Sequence, residues 1–314
     1  MTGPSDAVAV VIPNWNGERW LRGCLDSIAA QTRRPEEIIV VDNGSIDASL
    51  RLLADEYPAV RVIALASNTG FAHAANVGLA ATRASRVALL NTDVVCAADW
   101  LARLVAVLDG DPGLAAVACK MVDLEDPRRL YDAGDVLRRD GVCVQRGRHR
   151  CDDGRYDAAG EVFAACAGAA LYRREPVVAL GGFDERYFSY LEDVDLGLRL
   201  RLAGWRCAYE PAVARHAGGG SSWQLERSVP AWAQRNTLLL MAKTFPLSWA
   251  PAVIYRQLGW AWHAARERRL RAHLGATVAA LPLLSSMLRE RRRLRRSARL
   301  PIGVVVPRQP IRGG

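Results

Sequence analysis

The sequence predicts an α/β fold with a mostly helical, basic C-terminal extension, and three observations carry that reading. Short apolar runs alternate with helix-period segments through the first half of the chain, the signature of a βα-repeating, largely parallel sheet. Each apolar run ends in a polar cluster. Charge is also divided: residues 1–224 hold 25 Lys+Arg against 30 Asp+Glu, whereas residues 225–314 hold 17 against 3, within a net charge of +9. The expected organisation is therefore an acidic body over 1–224 and a basic helical extension over 225–314.

At 314 residues and 50% hydrophobic, the chain is long enough for a large core and too apolar for disorder. The strands are expected at Ala7 to Ile12, Glu37 to Val41, Val60 to Leu65 and Val87 to Leu90. Helical periodicity marks Arg19 to Ala30, Asp47 to Glu56, Ala72 to Ala81 and Trp100 to Leu108. Polar residues follow the strands at Pro13-Asn14-Trp15-Asn16, Asp42-Asn43-Gly44-Ser45, Asn68-Thr69-Gly70 and Asn91-Thr92-Asp93. In open α/β sheets ligands bind at the carboxyl ends of strands, so these four clusters should converge on one crevice. Turn chemistry is the competing explanation, and it is the better one for Asn43-Gly44-Ser45. It is weaker for Asp42 and Asp93, since a carboxylate at the end of a buried strand needs a partner.

From Lys120 to Arg174 the pattern is less regular, with glycines that suggest hairpins and a mobile surface loop around His149 to Tyr156. The small residues Cys166-Ala167-Gly168-Ala169-Ala170 allow a ligand or another backbone to come close, and tight core packing explains them equally well.

Three carboxylates, Glu192, Asp193 and Asp195, open what reads as an amphipathic helix. Acids in a first helical turn are favourable by about 0.3 to 1 kcal/mol each, and Asp195 to Arg199 is a stabilising i,i+4 pair. Capping and pairing account for Asp195 better than for Glu192 and Asp193, which stand directly behind the aromatic loop Phe183 to Tyr190. Adjacent carboxylates there fit a general base of raised pKa. Trp205 to Glu210 reads as a strand. Val213 to Ser222 reads as a flexible, exposed glycine-rich loop carrying His216.

Taken together, these motifs resemble the inverting family 2 glycosyltransferases, and among them the rhamnosyltransferase-like bacterial enzymes. The resemblance covers about residues 7–222. It rests on Val11-Ile12-Pro13-Asn14-Trp15-Asn16, Val40-Val41-Asp42-Asn43-Gly44-Ser45 with Asp47, and Asn68-Thr69-Gly70-Phe71-Ala72 with Asn76. Leu90-Asn91-Thr92-Asp93, Gly181-Gly182-Phe183-Asp184-Glu185 and the acidic run complete it. It implies a GT-A fold acting on a nucleotide-diphosphate sugar, dTDP- or UDP-linked, and a glycan or polyprenyl-linked acceptor. Asp42 matches the acid on the base or ribose, and Pro13-Asn14 the wall of the base pocket. Asn16, Asn68, Asn76, Asn91 and Thr92 fall on the donor side, and Gly168 and Glu192 either face the acceptor or stand behind the residues that do. Asp93 matches the last acid of the D-x-D motif, whose first acid is Asn91 here, and would hold Mg²⁺ or Mn²⁺ with His216. Asp193 matches the general base.

The chemistry agrees with the residue types. Displacement at an anomeric carbon needs a base for the acceptor hydroxyl and positive charge on the departing diphosphate. A nucleotidyltransferase would share the crevice and acids, but no Gly-rich, Arg/Lys-containing phosphate loop follows the first strand. A non-catalytic sugar- or nucleic-acid-binding protein would have no use for Asp193, Asp93 and His216 together.

Seven scattered cysteines without a C-x-x-C pair read as reduced packing thiols, and no secretory signal is visible, so a cytoplasmic protein is expected. In the extension, Leu274 to Leu288 is an uncharged run of 15 residues interrupted by Pro282, followed by an arginine cluster at 289–296. A spanning helix needs about 20 residues. A helix at the cytoplasmic face of the cell membrane is the favoured reading over a nucleic-acid patch, a solvated face or an oligomer interface.

Overall fold

The computed structural model describes residues 6–218 and 229–308. The chain begins with β1 (Val8–Asn14), α1 (Glu18–Ala29), β2 (Glu37–Asp42), α2 (Ser49–Glu56), β3 (Arg61–Ala64), α3 (Phe71–Ala81) and β4 (Arg86–Leu90). All four strands and three helices lie within two residues of their expected positions. β5 (Val94–Cys96), α4 (Trp100–Gly110) and β6 (Leu114–Asp123) follow. The middle of the chain contributes the short strands β7 (Leu130–Asp132), β8 (Asp135–Leu137), β9 (Cys143–Gln145) and β10 (Gly160–Val162), then β11 (Ala169–Arg173) and α5 (Arg174–Ala179). The remainder is α6 (Glu192–Leu202), β12 (Arg206–His216), α7 (Val229–Thr244), α8 (Ala250–Arg266), α9 (Leu270–Ser297) and α10 (Ile302–Val305).

Among the described residues one sheet runs in the order β10-β12-β6-β11-β4-β1-β2-β3, with β5 paired to β12 and β7 to β6. The β3-β2-β1-β4 half is parallel, as the alternation predicts. The other half is mixed, because β11 pairs antiparallel with both β4 and β6. Parallel pairing needs a crossover, usually a helix, and between β6 and β11 the chain supplies only hairpins. The small-residue run at 166–170 thus leads into a central strand buried from Ala169 to Tyr172.

Both faces of the sheet are covered, so its strands are apolar without alternation. Val8, Val10 and Ile12 face α1 and α4, whereas Val11 faces α3. Gly78 of α3 lies so close to β1 that an added Cβ would sit 2.2 Å from Val11 Cγ1.

α6 differs from the amphipathic helix expected. Val194, Asp195, Leu196, Leu198, Arg199 and Leu200 are all buried, so the helix is enclosed on nearly every side. Leu196 and Leu200 pack toward the sheet, while Val194, Leu198 and Leu202 pack with Leu239, Leu240, Met241 and Phe245 of the C-terminal region. The basic extension therefore supplies the second wall of this helix. At the contact, the buried Lys243 Nζ donates to Asp184 Oδ2 at 2.7 Å and to Asp195 Oδ2 at 2.8 Å. Arg199 Nε donates to the same Asp195 oxygen at 2.7 Å, which bears out the structural reading of Asp195.

Removing one partner of a buried ion cluster leaves charge without compensation and costs about 3 to 5 kcal/mol. Lys243→Met should lower unfolding free energy by that amount in urea titration. Burial opposes ionisation of Asp184, but Arg186 and Lys243 outweigh it and hold the carboxyl below its usual range. A depressed folded pKa contributes stability above the unfolded value of about 4 and loses it as pH falls further. That acid-side loss should be smaller in the Lys243→Met protein.

Candidate active site

The four polar turns converge as the strand pattern predicts. Asn14, at the end of β1, donates from Nδ2 to Asp42 Oδ1 at 2.7 Å and to Ser45 Oγ at 3.2 Å. Asp42 Oδ2 accepts from Ser45 N at 3.0 Å. Asp42 is completely buried with both oxygens engaged, so it fixes the floor of the crevice. Pro13, beside it in β1, is half-buried. Asn16, in a left-handed conformation at φ 50°, donates its backbone N–H to Ser45 Oγ and accepts from Ile46 N through Oδ1 at 2.8 Å. Asn14 Oδ1 is buried and makes no hydrogen bond.

Asn43 performs the turn role assigned to it. Its Oδ1 accepts from Thr69 N at 2.9 Å, and its Nδ2 donates to Asn68 Oδ1 and Gly70 O at 3.1 Å. Gly44 has φ +73° and no room for a side chain, since a Cβ would meet the Ser67 backbone at 2.5 Å. Asn76 stands apart from these turns. It donates to Phe183 O and accepts from Phe183 N, both at 2.8 Å, and so braces the glycine-rich corner before the aromatic loop.

The residues assigned to chemistry meet through one short stretch of small residues. Gly168 O accepts from Asn91 N at 2.8 Å, and Ala167 N donates to Asp193 Oδ2 at 3.1 Å. Asp193 Oδ1 also accepts from Val194 N at 2.8 Å. A Cβ on Gly168 would sit 3.2 Å from Asn91 Nδ2, so any larger residue here would push that side chain by a few tenths of an ångström. Thr92 is buried against the β1–α1 turn, where a Cβ on Gly17 would come within 3.1 Å of its Oγ1.

His216 departs from expectation. It ends β12 opposite Val94 and is buried, with its ring 4.3 Å edge-on to Tyr131. The exposed glycine-rich loop expected around it is strand through His216, because Ala214 to His216 pair with β5 on one side and β6 on the other. Positions 219–222 of that expected loop lie outside the described residues. Nε2 of His216 is 3.1 Å from Asp93 Oδ1, yet neither ring nitrogen makes a hydrogen bond. A buried carboxylate beside an imidazole, one oxygen and one nitrogen donor, fits a divalent cation, Mg²⁺ or Mn²⁺. Among the described residues no group of three or more His, Cys, Asp or Glu is arranged to hold a metal. Substrate phosphates and water would complete such a shell.

Electrostatically the site is crowded with acid. Burial raises the Asp193 carboxyl above its ordinary value. Burial, and then the charge of Asp193, push Glu192 well above the usual range, and its Oε2 has no hydrogen-bond partner. Two acids missed in the sequence join them: burial pushes Asp132 up to about 6 and raises Asp135 well above its ordinary value. Both are buried, and the charge of Asp193 raises each. The pattern Leu130-Tyr131-Asp132-Ala133-Gly134-Asp135, with acids set among apolar residues, was the available signal. The nearby Cys143 and Cys166 thiols are pushed up by burial, and all seven cysteines are free.

The aromatic loop before α6 is strained. Phe188, Tyr190 and Leu191 take φ of 66°, 71° and 68°, in the left-handed region that costs non-glycine residues energy. The fully buried Asn236 of α7 holds it, donating from Nδ2 to Tyr187 O, Ser189 O and Tyr190 O at 2.9, 2.8 and 2.7 Å. Trp232 packs on the Phe188 and Tyr190 rings. Nothing local in the sequence near 190 reveals these partners, which arrive from 40 or more residues away.

The chain matches the family model for glycosyl transferase family 2 over residues 9–181. It is 29% identical over 315 residues to an N-acetylglucosaminyl-diphospho-decaprenol L-rhamnosyltransferase of Mycobacterium tuberculosis, an alignment spanning 92% of this chain and 97% of that protein. It is 33% identical over 228 residues to a pre-mycofactocin glycosyltransferase of the same species, spanning 68% of this chain and 44% of that one. Among solved structures, it resembles the Pyrobaculum calidifontis mannosyltransferase PcManGT in complex with GDP-Man and Mn²⁺. The TM-score is 0.54 at 22% identity, over 94% of this chain and 87% of that one. A second likeness, to GalNAc-T7 with UDP, GalNAc and Mn²⁺, has a TM-score of 0.62 at 17% identity, over 76% of this chain and 48% of that one. At these identities the likeness is one of fold, and the fold is GT-A.

Asn236→Ala removes the donor shared by three carbonyls of the strained loop. Stability should fall by about 1 to 3 kcal/mol, and amide exchange across 186–191, followed by mass spectrometry, should quicken. Unchanged exchange there would mean that the loop holds itself.

Proposed function

Because the chain belongs to glycosyl transferase family 2, we propose that it transfers a sugar from a nucleotide-diphosphate donor to a polyprenyl-linked glycan by single displacement with inversion. L-Rhamnose is the favoured sugar and an N-acetylglucosaminyl-diphospho-polyprenol the favoured acceptor. The near full-length alignment with the mycobacterial rhamnosyltransferase supports both, and thymidine or uridine diphosphate is the expected carrier. The observation that carries the mechanism is the 166–168 bridge: adjacent residues hold the Asn91-Thr92-Asp93 turn on one side and the Asp193 carboxylate on the other.

In this reading the acceptor hydroxyl oxygen bonds to the anomeric carbon as the bond from that carbon to the diphosphate oxygen breaks. Asp193 takes the hydroxyl proton, and the nucleoside diphosphate leaves with the bonding pair. The N–H groups of Ala167 and Val194 fix the direction of the carboxylate. Burial and the charge of Asp193 push the neighbouring Glu192 carboxyl well above the usual range, so the two acids divide the negative charge of this turn unequally. Asp93 and His216 would hold the divalent cation, which when bound supplies positive charge to the departing diphosphate. Asn14, Asn16, Asp42, Asn68, Asn91 and Thr92 shape the donor side, Pro13 walls the base pocket, and Asn76 acts through the Phe183 corner. Among the described residues no helix is long and apolar enough to cross a membrane. A lipid tail on the proposed acceptor supports a reaction at the cytoplasmic face of the cell membrane.

Thermal shift and donor hydrolysis across a panel of nucleotide sugars with Mn²⁺ test the reading, and the absence of any response would overturn it. Asp193→Asn should abolish transfer, a loss of at least about 10²-fold, while leaving donor affinity nearly unchanged. Loss of both together would make Asp193 structural. Only the deprotonated base is active, so kcat/KM should rise with pH through a midpoint above the ordinary aspartate value of about 4. A midpoint at or below that value would contradict the raised Asp193 carboxyl.

A further inference from the structure

α8 and α9 expose apolar surface in a pattern that folding within the chain does not use. On α9 one face is spent inward: Ala276, Ala280 and Met287 are buried, and the helix packs along α7. The outward face of such a helix is ordinarily charged. Here it carries Leu270, Leu274, Val278, Leu281 and Leu288, spaced at three, four and seven residues so that they form one stripe, with Leu274, Val278 and Leu281 each more than half exposed. α8 adds Ile254, Leu258 and Trp262 at four-residue spacing, also more than half exposed.

Charge is arranged around this surface. The stretch from Leu274 to Leu288, about 22 Å of helix, contains no ionisable side chain. Exposed arginines close both of its ends: Arg266, Arg268, Arg269 and Arg271 before it, and Arg289, Arg292, Arg293, Arg295 and Arg296 after it. α8 and α9, with the turn between them, contain two acids, Glu267 and Glu290. Residues 1–224 hold more acids than bases, so the positive excess of the chain lies in the segment that contains this face.

We propose that the α8–α9 face lies in the interfacial layer of an anionic lipid bilayer, its leucine stripe and Trp262 among the acyl chains and its arginines at the headgroup phosphates. The deduction needs no acceptor. Its consequence for catalysis does rest on the proposed polyprenyl-linked acceptor. α9 packs on α7, and α7 holds the loop leading to Asp193 through Asn236, so a bilayer-bound α9 carries the site to the surface where that acceptor lies. An apolar centre between basic ends distinguishes this face from a nucleic-acid surface, where cations track phosphates along the whole contact.

The test is co-sedimentation of the full chain with vesicles of phosphatidylglycerol and phosphatidylcholine, compared with phosphatidylcholine alone, without donor or acceptor. We expect binding to the anionic vesicles, weakened by salt, and a blue shift of tryptophan fluorescence that is absent in Trp262→Ala. Replacing Leu274, Val278 and Leu281 together with Gln should reduce partitioning at least about tenfold. Its thermal melt should stay unchanged, since all three are exposed. Arg292, Arg293 and Arg296 changed together to Gln should remove most of the salt-sensitive part. Failure to bind anionic vesicles overturns the proposal. So does a Gln variant that binds vesicles normally while breaking a dimer seen by light scattering, which would make the stripe a self-interface. Because vesicle binding is read without substrate, an inactive preparation that still binds would refute the proposed reaction and leave the membrane surface standing.

Discussion

The buried cation of Lys243 is the interaction on which the arrangement of the site depends. It lies between Asp184, at the start of the aromatic loop, and Asp195, in the first turns of α6, and it comes from a helix nearly 50 residues further along. With Arg186 and Arg199 the cluster sets three cations against two carboxylates, and Lys243 is the one cation that both carboxylates share. Its geometric effect is to fix the rotation of α6 about its axis. With Asp195 turned toward Lys243, Asp193 projects to the Ala167 amide and the crevice.

That constraint explains why strained backbone persists directly before α6. Three left-handed non-glycine residues within four positions would relax if the loop were free. Asn236 holds three of the loop's carbonyls, Lys243 holds Asp184 at its start, and Arg199 holds the Leu180 and Gly182 carbonyls just before it. The loop is thus over-determined by α7. Residues 229–308 pack against α6, and the third hydrophobic cluster contains side chains from both.

Charge is segregated by function. Acids gather around the crevice, where burial and mutual repulsion raise Asp193, Glu192, Asp132 and Asp135 together. Arginines gather on the outer helices. Asp93 and His216, an acid and an imidazole, are buried together with Nε2 3.1 Å from Oδ1.

What the sequence determined by itself is what depends on short-range pattern: the four βα units, the turn chemistry of Asn43 and Gly44, the Asp195–Arg199 pair and the convergence of the strand-end clusters. Each follows from local spacing and from the rule that parallel strands end together. Tertiary structure alone decided the rest. β11 became a central antiparallel strand because no crossover helix precedes it, and His216 became a buried strand residue because β5 and β6 flank it. Asp132 and Asp135 entered the site from a segment without periodicity. Asn236 and Lys243 sit in a helix whose composition signals only a packed element. The reason is physical: a residue's role in a buried network depends on which unsatisfied group faces it, and that group is supplied by chain far away in sequence.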